Sequence, residues 1–175
     1  MYYLECERIV LHPLSANHLH WFVKDIKKLE KALNLESTSL DLNGSGEFKD
    51  QLFEKILKSV IPLVRENTDQ YMWYTHWIII HKDKKIILGG IGIQGEPDRN
   101  NEVFLNFYED NKFEKEEFST EALHCMGQWL LKTGKVSAVK IITTKDQVRA
   151  QKVLERSGFS VFKKRIDEIE WVYPD

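Results

Sequence analysis

The chain has little of several things that commit a protein to a specialised class. It contains two cysteines, Cys6 and Cys125, and four prolines in 175 residues, too few for a disulfide-stapled scaffold or a proline-rich extended segment. Its longest apolar run is Trp77-Ile78-Ile79-Ile80, far short of the ~20 residues a membrane-crossing helix needs. Neither sign of charge dominates: 25 Lys and Arg stand against 27 Asp and Glu, a formal charge of -2, which supplies no general attraction to nucleic acid or to an anionic membrane. Met1-Tyr2-Tyr3-Leu4-Glu5 lacks the basic-then-apolar pattern of a secretory signal, so the expectation is a cytoplasmic chain with reduced thiols, Cys125 being a buried structural one. The six histidines, His12, His18, His20, His76, His81 and His124, show no metal-ligand spacing, and no metal is expected.

What is present is an ordinary globular composition, 42% hydrophobic and 30% charged, in a chain of a length that builds one core. With no linker or internal repeat in view, residues 1–175 read as a single domain. Cys6 to Leu14 reads as a first strand, with Ser15 as a helix cap. Leu19, Phe22, Ile26, Leu29 and Leu33 then recur at helical spacing, and Lys24, Lys27, Lys28 and Lys31 form the solvated face. Asn43-Gly44-Ser45-Gly46 has turn chemistry, and Phe48, Leu52, Phe53, Ile56, Leu57 and Val60 restore a helical period that Pro62 kinks or shortens.

Met72–His81 and Ile86–Gln94 flank the polar turn Lys82-Asp83-Lys84-Lys85, an antiparallel hairpin that Val103–Tyr108 extends into a meander. Phe118–Lys132 carries Ala122, Leu123, Met126, Trp129 and Leu130 at helical spacing before Gly134. A strand over Val136–Thr143, a helix over Asp146–Arg156 stopped by Gly158, a strand at Phe159–Phe162 and a last strand at Ile169–Tyr173 complete the chain. The class is α/β, a mixed sheet flanked by helices.

Four stretches in this order resemble the GNAT acetyltransferase superfamily, in particular its ribosomal-protein N-acetyltransferase branch. Glu7-Arg8-Ile9-Val10-Leu11-His12-Pro13-Leu14 is similar to the family's opening strand, and Ile87-Leu88-Gly89-Gly90-Ile91-Gly92-Ile93-Gln94-Gly95-Glu96-Pro97 to its third strand and following loop. Ser119-Thr120-Glu121-Ala122-Leu123 resembles the start of its cofactor helix, and Val153-Leu154-Glu155-Arg156-Ser157-Gly158-Phe159 its closing helix. The resemblance covers nearly the whole chain. It implies a mostly antiparallel central sheet, acetyl-CoA as co-substrate, and a small-molecule or protein amine as acceptor, in a monomer or homodimer.

The same resemblance assigns the loop Asn111–Phe118 to the cofactor's diphosphate, which backbone N–H groups and a helix N-terminus would cradle. The family's Gln or Arg, Gly, and Gly or Ala fall at Glu114, Glu117 and Ser119. Glutamate at a glycine position restricts a left-handed backbone. Glu109, Asp110, Glu114, Glu116 and Glu117 would also repel a diphosphate unless they turn outward or serve only to stabilise the helix N-terminus. Phe107, Glu117, Phe118, Ser119, Thr120 and Gln147 are expected near the cofactor. The family's strand carboxylate falls at Phe104, which leaves Glu102 as the catalytic candidate or a surface residue. Trp73, Tyr74 and Trp77 are candidates for the acceptor pocket or simply core. Two functions follow: an N-acetyltransferase acting on an amine, or a degenerate GNAT fold that binds a ligand or protein without transfer.

Overall fold

Ile9 and Leu11 alternate with half-exposed Val10 along β2 (Ile9–Pro13), and this strand organises one side of a sheet. In the computed structural model, which describes residues 2–42 and 46–174, β2 pairs antiparallel with β3 (His76–His81), β3 with β4 (Ile87–Ile93), and β4 with β5 (Glu102–Glu109). The expected meander is therefore present. β5 then runs parallel to β6 (Ala138–Thr144). β8 (Glu168–Tyr173) lies antiparallel to β6, and β7 (Ser160–Lys164) pairs with β8. The two-residue β1 (Leu4–Glu5) pairs with β2 and makes the order β1-β2-β3-β4-β5-β6-β8-β7. One parallel pairing in a mostly antiparallel sheet flanked by helices is the mixed α/β class read from the sequence.

The two faces hold separate cores. On one, α1 (Ala16–Lys24), α2 (Ile26–Ala32), α3 (Gly46–Lys55) and α4 (Ile61–Glu66) bring Leu19, Phe22, Leu29, Leu52 and Ile61 against Ile78, Ile87 and Tyr108. On the other, α5 (Phe118–Lys132) and α6 (Val148–Arg156) bring Ala122, Leu123, Met126, Leu130 and Leu154 against Ile79, Leu105 and Ile141. Each large apolar side chain removed from water contributes about 1.5–3 kcal/mol.

Several local readings are corrected. The helix expected from Ser15 to Leu33 is two: Asp25 leaves the helical region at φ -155°, and its carboxylate accepts from Lys28 N–H, so an N-cap inside the apolar pattern starts α2. Pro62 interrupts the regular helix without ending the helical run: the chain widens into a π-helical turn at Ile56–Val60 and continues as α4 with Pro62 in its first turn. The strand expected from Met72 begins only at His76, because Met72 and Trp73 belong to a 3₁₀ turn over Thr68–Trp73. The turn proposed at Asn43-Gly44-Ser45 lies outside the described residues.

The thiols are also corrected: Cys6 and Cys125 form a disulfide, with Cα atoms 6.2 Å apart. The approach arises because β1 leads the chain across α5, a long-range contact that spacing in the sequence cannot reveal. Among the described residues no helix is long and apolar enough to cross a membrane.

Candidate functional site

Strand β5 positions the site. Its odd residues Val103, Leu105 and Phe107 face α5 and α6, and its even residue Tyr108 faces α1–α4. Pairing with β6 runs from Glu102↔Ala138 to Leu105↔Ile141 and stops there. β5 nevertheless stays paired to β4 as far as Glu109, and β6 to β8 as far as Thr144. The two central strands therefore part beyond Leu105 and leave a gap in the sheet.

On the α5–α6 side the gap opens into a cleft of about 540 Å³. Glu109 lies at its floor, 4% exposed, accepting hydrogen bonds from Ser119 Oγ and Arg149. Burial raises the Glu109 carboxyl above its ordinary value, and Glu114 adds to this, against the opposing hydrogen bond from Ser119 and charge of Arg149. Arg149 Nε also reaches Glu114 at 2.9 Å, and Arg156 pairs with Glu117. Lys115 and Lys152 complete the charged part of the lining, four cations against three carboxylates. The repulsion expected from the acidic segment is therefore offset from across the cleft by one face of α6. Arg149, Lys152 and Arg156, spaced three and seven apart, were the legible sign of that face.

The segment expected as a phosphate loop coils into a 3₁₀ turn over Asn111–Glu116, started by the buried Asp110 carboxylate accepting from Lys112 N–H. Glu117 follows at φ 57°, left-handed, as a glycine there would be. This geometry costs a non-glycine residue roughly 1–2 kcal/mol. It leaves the first turn of α5 without a side-chain cap, its amides turned to the cleft end of the helix. Arg8, from the opening-strand stretch, fixes the other flank: its guanidinium lies 4.6 Å from the Phe118 ring, bonds Glu121 at 2.8 Å and donates to Glu116 O.

Whether this cleft suits an elongated polyanion is tested by Thr120. Its Oγ1 is buried beside the cleft and has no hydrogen-bond partner. A buried hydroxyl in that state costs free energy unless a ligand completes it. Together with the uncapped amides and the surplus of cations, it makes the residues fit such a ligand.

The other sequence candidates divide. Ser119, Thr120 and Glu117 line the cleft. Phe118 is packed in the core, and Phe107 is partly buried against it. Gln147 precedes α6 and turns its amide back to accept from Thr144 N–H at 2.9 Å. Glu102 is tied to Lys140 at 2.9 Å, and Lys140 also reaches Glu170 at 3.0 Å. Trp73 and Trp77 pack against Trp129.

Tyr74 lines a second, smaller cavity of about 200 Å³ on the α1–α4 side. It also contains His76, Asn106, Gly92, Lys55 and Ser59, none of which was expected at a site from the sequence. Burial, aided by the charge of Lys55, lowers His76 to about 4, so its imidazole is neutral at pH 7, and Nδ1 shares a 3.0 Å hydrogen bond with Tyr108 OH.

A family described as "Acetyltransferase (GNAT) domain" matches residues 8–160. The chain is 28% identical over 164 residues to the uncharacterized N-acetyltransferase YjdG of Bacillus subtilis (strain 168), covering 91% of this chain and 96% of that one. Among solved structures, an acetyltransferase (GNAT family) from Bacillus anthracis superposes with a TM-score of 0.61 at 14% identity, covering 98% and 97% of the two chains. The ribosomal alpha-N-protein acetyltransferase RimL in complex with coenzyme A gives 0.64 at 10%, covering 98% and 96%.

Proposed function

Because the chain belongs to the GNAT acetyltransferase family, we propose that it is an N-acetyltransferase whose α5–α6 cleft holds acetyl-CoA and whose acceptor amine meets the acetyl group at the gap between β5 and β6. The observation that carries this is the buried, unpartnered Thr120 hydroxyl in a cleft that reaches the gap. Bound acetyl-CoA supplies an activated acetyl: the amine nitrogen forms the C–N bond as the C–S bond breaks, sulfur keeps the electron pair, and the proton shed by nitrogen balances the thiol.

The protein's part is to bind and orient. The first amides of α5 and the Thr120 hydroxyl face the diphosphate, and Lys115 and Lys152 add charge from the two sides. Arg149 and Arg156 are engaged by Glu114 and Glu117, so the loop carboxylates compete with phosphate for the same guanidinium groups. β5 beyond Leu105 keeps one edge without a neighbouring strand among the described residues, which suits an extended amide-bearing arm.

One observation favours the alternative, binding without transfer: Glu102, the strand carboxylate nearest the family position, is held by Lys140. Calorimetric titration with acetyl-CoA, followed by thiol release with a panel of amines, separates the two readings. Binding with amine-dependent thiol release is the result expected, and binding with no release from any amine selects the alternative.

Two variants check the binding geometry. Glu117→Gly removes a carboxylate from the cleft and frees Arg156, and should tighten acetyl-CoA about tenfold. Thr120→Val should weaken it about threefold to tenfold, the worth of one hydrogen bond. Unchanged dissociation constants in both would place the cofactor elsewhere.

A further inference from the structure

The smaller cavity lies on the face of the sheet opposite the α5–α6 cleft, and β5 lines both, through Asn106 in the one and Glu109 in the other. Asn106 is the first residue of β5 past the last β6 pairing, and it lines this cavity. Its Oδ1 is buried and has no hydrogen-bond partner. It is a carbonyl oxygen waiting for a donor. Gly92 on the neighbouring strand makes room for it: a Cβ there would meet Asn106 Oδ1 at 2.2 Å and the His76 ring at 3.1 Å.

The lining has one sign of charge. Lys55 is its single ionised side chain, since His76 is neutral at pH 7. Ser59 stands four residues further along the same helical segment and presents a hydroxyl to the same space. A cation and a hydroxyl at one wall, with an unsatisfied carbonyl oxygen at another, complement a molecule that has an anion at one end and N–H donors at the other. The volume, about 200 Å³, lies below the ≈ 300–1,000 Å³ of pockets for drug-sized ligands.

We propose that this cavity receives the acceptor, and that the acceptor is a compact amine bearing a carboxylate or phosphate, its nitrogen at Asn106 and its anion at Lys55 and Ser59. The assignment rests on reading the α5–α6 cleft as the acetyl-CoA site, because that places the nitrogen at the gap through which the acetyl group is reached. Long polyamines, which carry only cations, meet Lys55 as a like charge.

The test uses the full chain without acetyl-CoA, so it does not depend on the cofactor binding. Backbone amide shifts are followed by NMR during titration with L-serine and with O-phospho-L-serine, each against putrescine as the anion-free amine. The two anionic probes should shift the amides of Ser59, Gly92 and Asn106, the better of them showing which anion is preferred, and putrescine should not. Lys55→Met should weaken the anionic probes about tenfold while the calorimetric affinity for acetyl-CoA stays that of the parent. Asn106→Leu should weaken both anionic probes in the same assay. Shifts from putrescine equal to or larger than those from the anionic amines would overturn the proposal. So would the absence of shifts at these amides with either anionic probe at millimolar concentration. Loss of acetyl-CoA binding in the parent would count against the cofactor reading alone.

Discussion

Moving the protein from pH 7 to pH 5 should lower the stability of its folded state by about 4 kcal/mol, most of it from two buried histidines. His12 and His76 are both lowered from 6.5 to about 4, His12 by burial and then by His18, His76 by burial and Lys55. In the unfolded chain each regains its ordinary affinity for a proton. As the pH falls below 6.5 the unfolded state takes up protons that the folded state refuses, so stability falls with pH and levels off near pH 4. One pH unit within that window is worth about 1.4 kcal/mol per group.

Glu109 acts in the opposite direction. Its carboxyl is raised in the folded state, so acidification favours the folded form through that group and offsets part of the loss. Urea midpoints at pH 7, 6 and 5 measure the sum. Replacing His76 with Asn should remove close to half of the slope, and an unchanged slope in that variant would show that His76 is not the group refusing the proton.

Reducing the Cys6–Cys125 disulfide should lower stability by about 5 kcal/mol on a chain-entropy argument, because the two residues are 119 apart in sequence and the bridge forbids the most open unfolded conformations. Urea unfolding with and without dithiothreitol measures the difference. The matching control is Cys6→Ser with Cys125→Ser, whose midpoint should equal that of the reduced parent and ignore the reductant. If the parent's midpoint does not move on reduction, and its mass does not rise by two hydrogens, the bridge is not formed in solution.

Much of the fold was legible because its signals are local. α5 was read to the residue from Ala122, Leu123, Met126 and Leu130, whose 3.6-residue period needs no partner to be recognised. The meander followed from β-prone runs separated by turn residues. Where the reading failed, a second element decided the outcome. Asp25 splits an apolar pattern that looks continuous, because capping an adjacent helix outweighs periodicity at that position. The acidic loop looked hostile to phosphate because Arg149 and Arg156 enter the chain more than thirty residues later, and only the packing of α6 beside α5 brings them to Glu109, Glu114 and Glu117. His76 and Asn106 look like ordinary strand residues. Their meeting depends on the register His76↔Gly92↔Asn106 across three strands, which no window of sequence contains.

The open ends of the sheet carry a consequence for behaviour at high concentration. A sheet that does not close on itself ends in two strands whose outward amides and carbonyls could template pairing with another copy. Here one end is β1, two residues long, which offers too short a ladder to hold a partner. The other is β7, where Val161 and Phe162 are exposed, and there the register slips between Val161 and Lys163 while Lys163 and Lys164 put two cations on the strand. The slip twists the edge away from a flat partner, and the lysines repel a second copy aligned against them. Aggregation by edge-to-edge growth is therefore suppressed by the same few residues that end the fold, and neutralising Lys163 and Lys164 together would remove the charge half of that protection without touching either cavity.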